Sequence, residues 1–545
     1  MSHSRTRRLL LGTLLAAIAL FSYGQWVLGA DALDTDRATV LLMARDFAHG
    51  QWSVFFWQQN YMAAFEPLLL TPLALLDVLT PTSASLVALA LTTVLAVISL
   101  RLASKVGGAV WLTALLWALP PAVVAHHHLA LYGARLASTV VAVAAFALAL
   151  RVRTGRGALL VGFLAGLAYM GDHLMLAWAV GIFFVTARRG MLKAVAWGAA
   201  PVLVVDTVAS LFAPTVHLSG PNDPVDWLMN PIRLVSTTVP QLFGLLFSRP
   251  PTPVFNEVRT VIPPGFAWMI LSVPAAAVLV WAATAFFRDS RNVLGRNAGE
   301  RGILLGGLVL TCATCLGLFF FVGGGGDVWP VRYLVPLWPA LTVLLGVAVM
   351  RWNPRHRIAA VLLVLPALFT QFADPSWPRA GDAAEARAEA EAVRQAVVEA
   401  GVQAVWTDYW DTYRMALLVD EGLPWTTTRM LDRRPDWTDA AMEASPVGYL
   451  IRPGDTEVLH LIESQPSGAP TGVVATRNVA GFRFFVTRGS IPAALGGQEG
   501  PSVTRFTAAS VSPLLLFLIA LGSVALGTRF FFRDPHQRTT HHPEG

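Results

Sequence analysis

Apolar runs of about 20 residues recur along most of the chain, separated by short polar loops. A run of that length is what a helix needs to cross a hydrocarbon core about 30 Å thick. The first, residues 9–30, follows Arg5, Arg7 and Arg8. It is long and no small-x-small cleavage site follows, so it reads as an uncleaved anchor with its N-terminus inside. Further spans are predicted at 83–103, 108–125, 129–150, 157–171, 173–187, 194–212, 266–287, 302–322, 331–350, 358–374 and 507–528, about twelve in all. The pair at 157–187 also fits a single re-entrant unit. Alternate loops carry Arg101 and Lys105, then Arg151, Arg153 and Arg156, then Arg188, Arg189 and Lys193. The series continues with Arg288 to Arg301, Arg351 to Arg357, and Arg529 to Arg538. Every cluster falls on the side of the N-terminus, as the positive-inside rule requires. Both termini, including a tail at 529–545, are therefore predicted to be cytoplasmic.

The opposite side receives a different chemistry. In the loop 31–67, Asp36, Val40, Met43 and Phe47 recur at helical spacing and predict a short helix lying along the interface. Residues 66–79, interrupted by Pro67 and Pro72, predict a second interfacial helix. Between 375 and 506 the composition changes, with an Ala/Glu/Arg helix near 382–400 and a strand at 403–407. A helix at 411–421 and strands near 425–430, 447–452 and 481–487 follow. The fold class is thus an α-helical polytopic membrane protein, residues 1–374 and 507–528, carrying a small extracytoplasmic α/β domain at 375–506. Sheet order does not follow from the pattern.

Composition agrees. The 545 residues are 55% hydrophobic and 14% charged, with a mean hydropathy of +0.56, where soluble proteins carry roughly 25% charged residues. A net charge of +6 would suggest nucleic acid in a soluble chain, but here the basic residues mark membrane topology. Nucleic-acid binding is excluded on that ground. Cys312 and Cys315, three apart inside a span, make neither a disulfide framework nor a zinc site and read as small packing residues.

Candidate chemistry gathers on the outer side. Asp31, Asp34 and Asp36 stand where the first span leaves the bilayer, a place where carboxylates are costly to desolvate; they are functional or simply solvated loop charges. Glu66 precedes a proline and is placed either to orient the acceptor or a metal, or to cap a helix or pair with a nearby arginine. The run His126-His127-His128 cannot put all three rings on one helical face, so one or two of them, His128 included, converge on any site. Asp172 and His173 sit between two apolar spans, and Arg332 with Tyr333 opens a late one. Arg332 suits a phosphate and equally suits an interfacial anchor beside Tyr333 and Trp329. Gly323 to Gly326 is a hinge-like linker, since no Gly-Lys-Ser/Thr follows it.

Asp36-Arg-Ala-Thr-Val-Leu-Leu-Met-Ala-Arg-Asp-Phe-Ala-His-Gly50, the run from Phe55 through Tyr61 to Glu66-Pro67, Arg332-Tyr333-Leu-Val-Pro336-Leu-Trp-Pro339, and Thr407-Asp408-Tyr409-Trp410 resemble the GT-C superfamily of membrane glycosyltransferases. The likeness is to the bacterial branch of aminoarabinose transferases and protein O-mannosyltransferases. Arg37 stands where that family usually has an acid, and Leu131-Tyr-Gly-Ala-Arg135 lacks an acid some relatives carry.

The resemblance implies transfer of a sugar from a polyprenyl-phosphate donor to an extracytoplasmic acceptor (lipid, glycan or protein) at a bacterial inner membrane. Transfer with inversion needs one carboxylate to take the acceptor proton and a cation to meet the phosphate leaving group. The register of the match makes Asp36 the expected base, with Asp34 beside it. Tyr61, Glu66, His128, Asp172, His173, Arg332 and Tyr333 are the expected substrate-binding residues. Two neighbouring carboxylates, Asp34 and Asp36, permit a divalent cation without requiring one. A multi-pass transporter or flippase of lipid-linked sugars is the first alternative, opposed by the scarcity of ionisable residues within spans and the lack of an inverted repeat. A non-catalytic envelope assembly protein is the second.

Overall fold

The computed structural model describes residues 19–20, 22–57, 59, 61–212, 232, 234–245, 272–284, 299–322, 330–368, 380–428, 432–466, 468–469 and 471–491. The expected final span, the tail, most of loop 213–265 and the Gly323–Gly326 linker lie outside them.

The first outer helix, α1, runs Thr35–Ala48. It starts where it does because Asp34 caps it, accepting the Arg37 N–H at 2.9 Å. The expected interfacial helix is present, but it does not lie open on a surface. Val40, Met43 and Phe47 enter the membrane-side core, while Ala38 and Leu42, with Leu33 ahead of them, enter a second core shared with the outer domain. Helix α2, Phe65–Leu75, is the second expected helix. It buries Glu66, Leu70 and Thr71 and exposes Leu68, Leu69 and Leu75.

Helix α3, Pro81–Lys105, opens on a Thr80/Ser83 capping box with proline in its first turn. The span expected at 108–125 is two helices, α4 (Val110–Ala118) and α5 (Ala122–His128), bent by 79°. Pro120 and Pro121 between them supply no N–H to continue the ladder. Helix α6 begins at Arg135 and runs to Ala149, later than expected, because 129–134 forms a loop against α2. There follow α7 (Gly155–Gly171), a 3-10 turn at His173–Met175, α8 (Leu176–Ala187), α9 (Leu192–Phe212), α10 (Ser272–Thr284), α11 (Glu300–Val322) and α12 (Trp338–Met350). Among the described residues, four segments are long and apolar enough to cross a membrane: Pro81–Lys105, Leu192–Leu211, Glu300–Phe319 and Val331–Met350. The bent α4–α5 pair makes a fifth if taken as one span. Cys312 and Cys315 are buried free thiols on α11.

The α7–α9 seam depends on glycine. A Cβ added at Gly162 would collide with the Val195 carbonyl, and one at Gly198 with the Leu159 carbonyl. Between membrane helices attraction comes mainly from close packing, so backbone approach of this kind is what holds the pair.

The outer domain holds α13 (Ala380–Ala400), β1 (Ala404–Thr407), α14 (Tyr409–Leu418), β2 (Trp425–Thr427), α15 (Pro435–Glu443), β3 (Val447–Ile451), α16 (Thr456–Glu463), β4 (Val473–Val479) and β5 (Phe482–Thr487). The sheet order is β2-β1-β3-β5-β4. Strand β1 is parallel to β2 and β3, and the β4–β5 hairpin is antiparallel. Side chains alternate between faces, as the pleat requires. Val405, Leu450, Phe482 and Phe484 face α13, α14 and α1; Trp406, Tyr449, Ile451 and Phe485 face α15 and α16. Helix α1 is therefore a structural member of the outer domain as well as of the membrane region.

Replacing Gly162 by valine is expected to cost about 1–3 kcal/mol by overpacking the α7–α9 seam and to lower the thermal midpoint in detergent. Gly155→Ala, at a site with no neighbour within 4 Å, is the control expected to leave it unchanged.

Candidate active site

Asp34 and Asp36 leave the start of α1 in different company. Asp34 turns toward the loop after α5: its Oδ2 accepts the Tyr132 hydroxyl at 2.8 Å and lies 3.8 Å from His126 Nε2. Burial raises its carboxyl above the usual range; Asp36 adds to the rise, while Arg37 and the two hydrogen bonds oppose it. Asp36 turns toward the outer domain. Its Oδ1 accepts the Tyr409 hydroxyl at 2.7 Å and Arg433 Nη2 at 2.8 Å. The expected base is thus held in an ion pair, and its neighbour is not.

Around them the other expected residues separate. Glu66 is fully buried. Its Oε1 accepts the N–H groups of Leu136 and Ala137 at 2.8 and 3.2 Å, so it caps α6 from α2, while its Oε2 is buried without a hydrogen-bond partner. Burial pushes this carboxyl up to about 7, against the backbone donors. Asp172 is bound by Arg135 Nε at 2.9 Å, and its backbone bridges to Met62. His173 turns away to α9, with Nε2 3.4 Å from Asp206 and its ring stacked on Tyr169 at 4.6 Å. His128 packs on Trp117 and meets the Val335 carbonyl at 3.4 Å. Of the three histidines it is His126, bonded to Tyr132, that reaches Asp34.

Cations converge from three elements. Arg332 packs over the Tyr333 ring at 5.0 Å and donates to its hydroxyl at 2.9 Å. Burial pushes the Tyr61 hydroxyl up to about 12; Tyr333 adds to this, and Arg332, Arg433 and Arg135 all act against it. His127 lies within electrostatic reach of Arg135 and Arg332 and adjoins His126. Side-chain contacts run from His127 and His126 through Tyr132 to Asp34, and Tyr61 lies within electrostatic reach of Arg332, Arg433 and Arg135. Beside Asp34 an apolar cleft is lined by Leu33, Leu41, Pro81, Ala84 and Leu131, with Arg37 and Ser85 as polar members. Arg37 is buried, with its Nη2 3.4 Å from the Ala30 carbonyl.

Arg433, Tyr132, His126 and the inward position of Arg37 were not legible from motifs. Tyr132 and His126 carry no distinguishing pattern; Arg433 sits beside Arg434 between predicted elements, where no motif marks it. Arg433 already balances Asp36, and among the described residues no three His, Cys, Asp or Glu side chains are grouped to hold a metal.

No protein-family profile and no curated protein matches the sequence. In fold the chain is similar to ArnT from Cupriavidus metallidurans bound to undecaprenyl phosphate, with a TM-score of 0.51 at 12% identity over 90% of this chain and 99% of that one. It is similar also to ArnT from the same organism in the apo state, with a TM-score of 0.50 at 12% identity over 91% and 100%. The likeness is one of fold, to the ArnT structures.

The raised Glu66 carboxyl predicts a signed pH effect. Its folded value, about 7, exceeds the ordinary one, so the folded state binds the proton more tightly and stability falls as pH rises between the two values. Glu66→Gln keeps an acceptor for α6 and removes the charge. Its gain in thermal midpoint over wild type is expected to be larger near about pH 8 than near about pH 5. Equal gains at both would contradict the buried, neutral assignment.

Proposed function

We propose that this GT-C-fold protein is a glycosyltransferase that moves a sugar from a polyprenyl-phosphate donor to an acceptor on the outer face of a bacterial inner membrane. The observation that carries this reading is a carboxylate raised by burial, Asp34, which accepts the Tyr132 hydroxyl and the Arg37 N–H and stands at the start of the helix whose Arg37 and Leu41 line an apolar cleft. Asp34 is the proposed base. A carboxylate whose pKa is raised by burial is better matched to a hydroxyl proton than one tied to an arginine. It takes the acceptor proton as the oxygen attacks the anomeric carbon, with inversion, and the polyprenyl phosphate departs. Arg332 and Arg37 are the proposed partners of that phosphate, through charge-assisted hydrogen bonds. Tyr61 and Tyr333 border the sugar in this reading. Glu66 and Asp172, together with their partners, hold the walls.

The about twelve spans, cytoplasmic termini and outward-facing site belong to the same proposal, on the positive-inside rule. The undecaprenyl phosphate bound in the ArnT structure supports the donor class. The clustering of polar groups at one end of the helices favours surface chemistry over a transport path.

Removing a general base typically costs about 10²–10⁴ in rate. Cells expressing Asp34→Asn are therefore expected to accumulate the unconsumed polyprenyl-phosphate-linked sugar, read by lipid mass spectrometry at matched protein levels. Purified Arg332→Gln is expected to bind undecaprenyl phosphate about tenfold more weakly. Unchanged lipid pools and wild-type product in Asp34→Asn would overturn the assignment of the base.

A further inference from the structure

Arg433 comes from the outer domain, in the loop leading to α15, and its side chain is 2% exposed. Its Nε donates to the Tyr409 hydroxyl at 2.9 Å, Nη1 to the Trp57 carbonyl at 2.9 Å, and Nη2 to Asp36 at 2.8 Å and to Tyr409 at 2.6 Å. The guanidinium lies over the Phe56 ring at 4.8 Å. The Tyr409 hydroxyl accepts from Arg433 and donates to Asp36, so both partners of Asp36 belong to the outer domain. An arginine is needed for this: a lysine cannot serve a carboxylate, a hydroxyl and a carbonyl from one planar head.

We propose that Arg433 is a positioning residue for the aspartate pair, inserted by the outer domain to bind and neutralise Asp36 and so leave Asp34 as the carboxylate that meets the acceptor hydroxyl. The proposal deepens the site reading above and rests on it for the word acceptor; the electrostatic claim stands on the geometry. Asp34 faces Asp36 and Arg37 on its own helix and Tyr132 and His126 from the loop after α5. Asp36 faces Tyr409 on α14 and Arg433. An unbalanced Asp36 would disfavour the ionised form of Asp34; a neutral residue there would favour it.

The test needs no sugar. Purified full-length protein in detergent is titrated with dicyclohexylcarbodiimide, which modifies protonated carboxyls, and labelling at Asp34 is followed against pH by peptide mass spectrometry. Arg433→Gln is expected to raise the labelling midpoint by roughly one pH unit and Asp36→Asn to lower it by roughly as much. The double variant is expected to return near wild type, and Arg433→Lys, which keeps the charge, to move it less than Arg433→Gln. Shifts of the same sign, or none in the near-isosteric Asp36→Asn, overturn the proposal, even if Arg433→Gln fails to fold. If Asp34→Asn still makes product while the opposed shifts appear, the site reading falls and the positioning stands. If Asp34→Asn abolishes product and the shifts are absent, the positioning falls alone.

Discussion

The ion pair between Asp36 and Arg433 is the contact on which the arrangement of this protein turns. Other charges also cross between α1 and the outer domain, including Arg434 with Asp46 at 2.9 Å and Arg387 with Asp31 at 3.2 Å. Arg387 is 64% exposed in its pair, and exposed pairs contribute at most about 1 kcal/mol. Arg433 is different because its side chain is 2% exposed and each of its three nitrogens donates a hydrogen bond. Without Asp36 the buried guanidinium keeps Tyr409 and the Trp57 carbonyl but loses its counter-charge, a larger loss than that of an exposed pair. The apolar contacts of Leu33, Ala38 and Leu42 with the domain core then work with it, since neither the charge nor the leucines can be exposed without cost. Helix α1 is fixed from both sides, and so are the two aspartates at its start.

That constraint sorts the carboxylates. Asp172 and Asp36 each face an arginine, whose charge balances theirs. Glu66 faces backbone N–H groups at a helix start, but its burial outweighs them. Only Asp34 of these four combines burial with hydrogen bonds from a tyrosine hydroxyl and a backbone N–H. Environments that push like groups apart are how acid and base roles become distinct. The register of a sequence motif cannot see this, because the two aspartates are separated by one residue and differ only in what approaches them from elsewhere.

Legibility follows the range of the interaction. The start of α1, its apolar positions and the strands β1, β2, β3 and β5 were readable because capping and periodicity are local. Strand β4 was missed: Val474, Ala475, Thr476 and Asn478 are exposed on it, so no alternation marks it, and only pairing with β5 makes it a strand. The break between α4 and α5 was written in Pro120 and Pro121, yet the apolar run around them reads as one span. Most of the site was beyond local reading. Arg433 is 397 residues from Asp36, and the choice of His126 over His128 depends on how α5 is tilted after the proline break.

The placement of charge within the helices bears on what such a site can do. A carboxylate deep in a bilayer must be paired or face a cavity. Asp206 on α9 is met by His173 with Tyr169 stacked behind it, between helices sealed by Gly162 and Gly198. The groups proposed for proton transfer and phosphate binding lie elsewhere, at the start of α1, in the loop 129–134 and on the turn carrying Arg332. A carrier that moves a sugar through the membrane needs polar partners on both sides of a moving seam. A transferase needs one enclosed carboxylate, held still, with cations within reach of a leaving phosphate. Fastening α1 between two cores meets the second requirement and works against the first, since the helix that carries the aspartates cannot move without breaking the Arg433 seam.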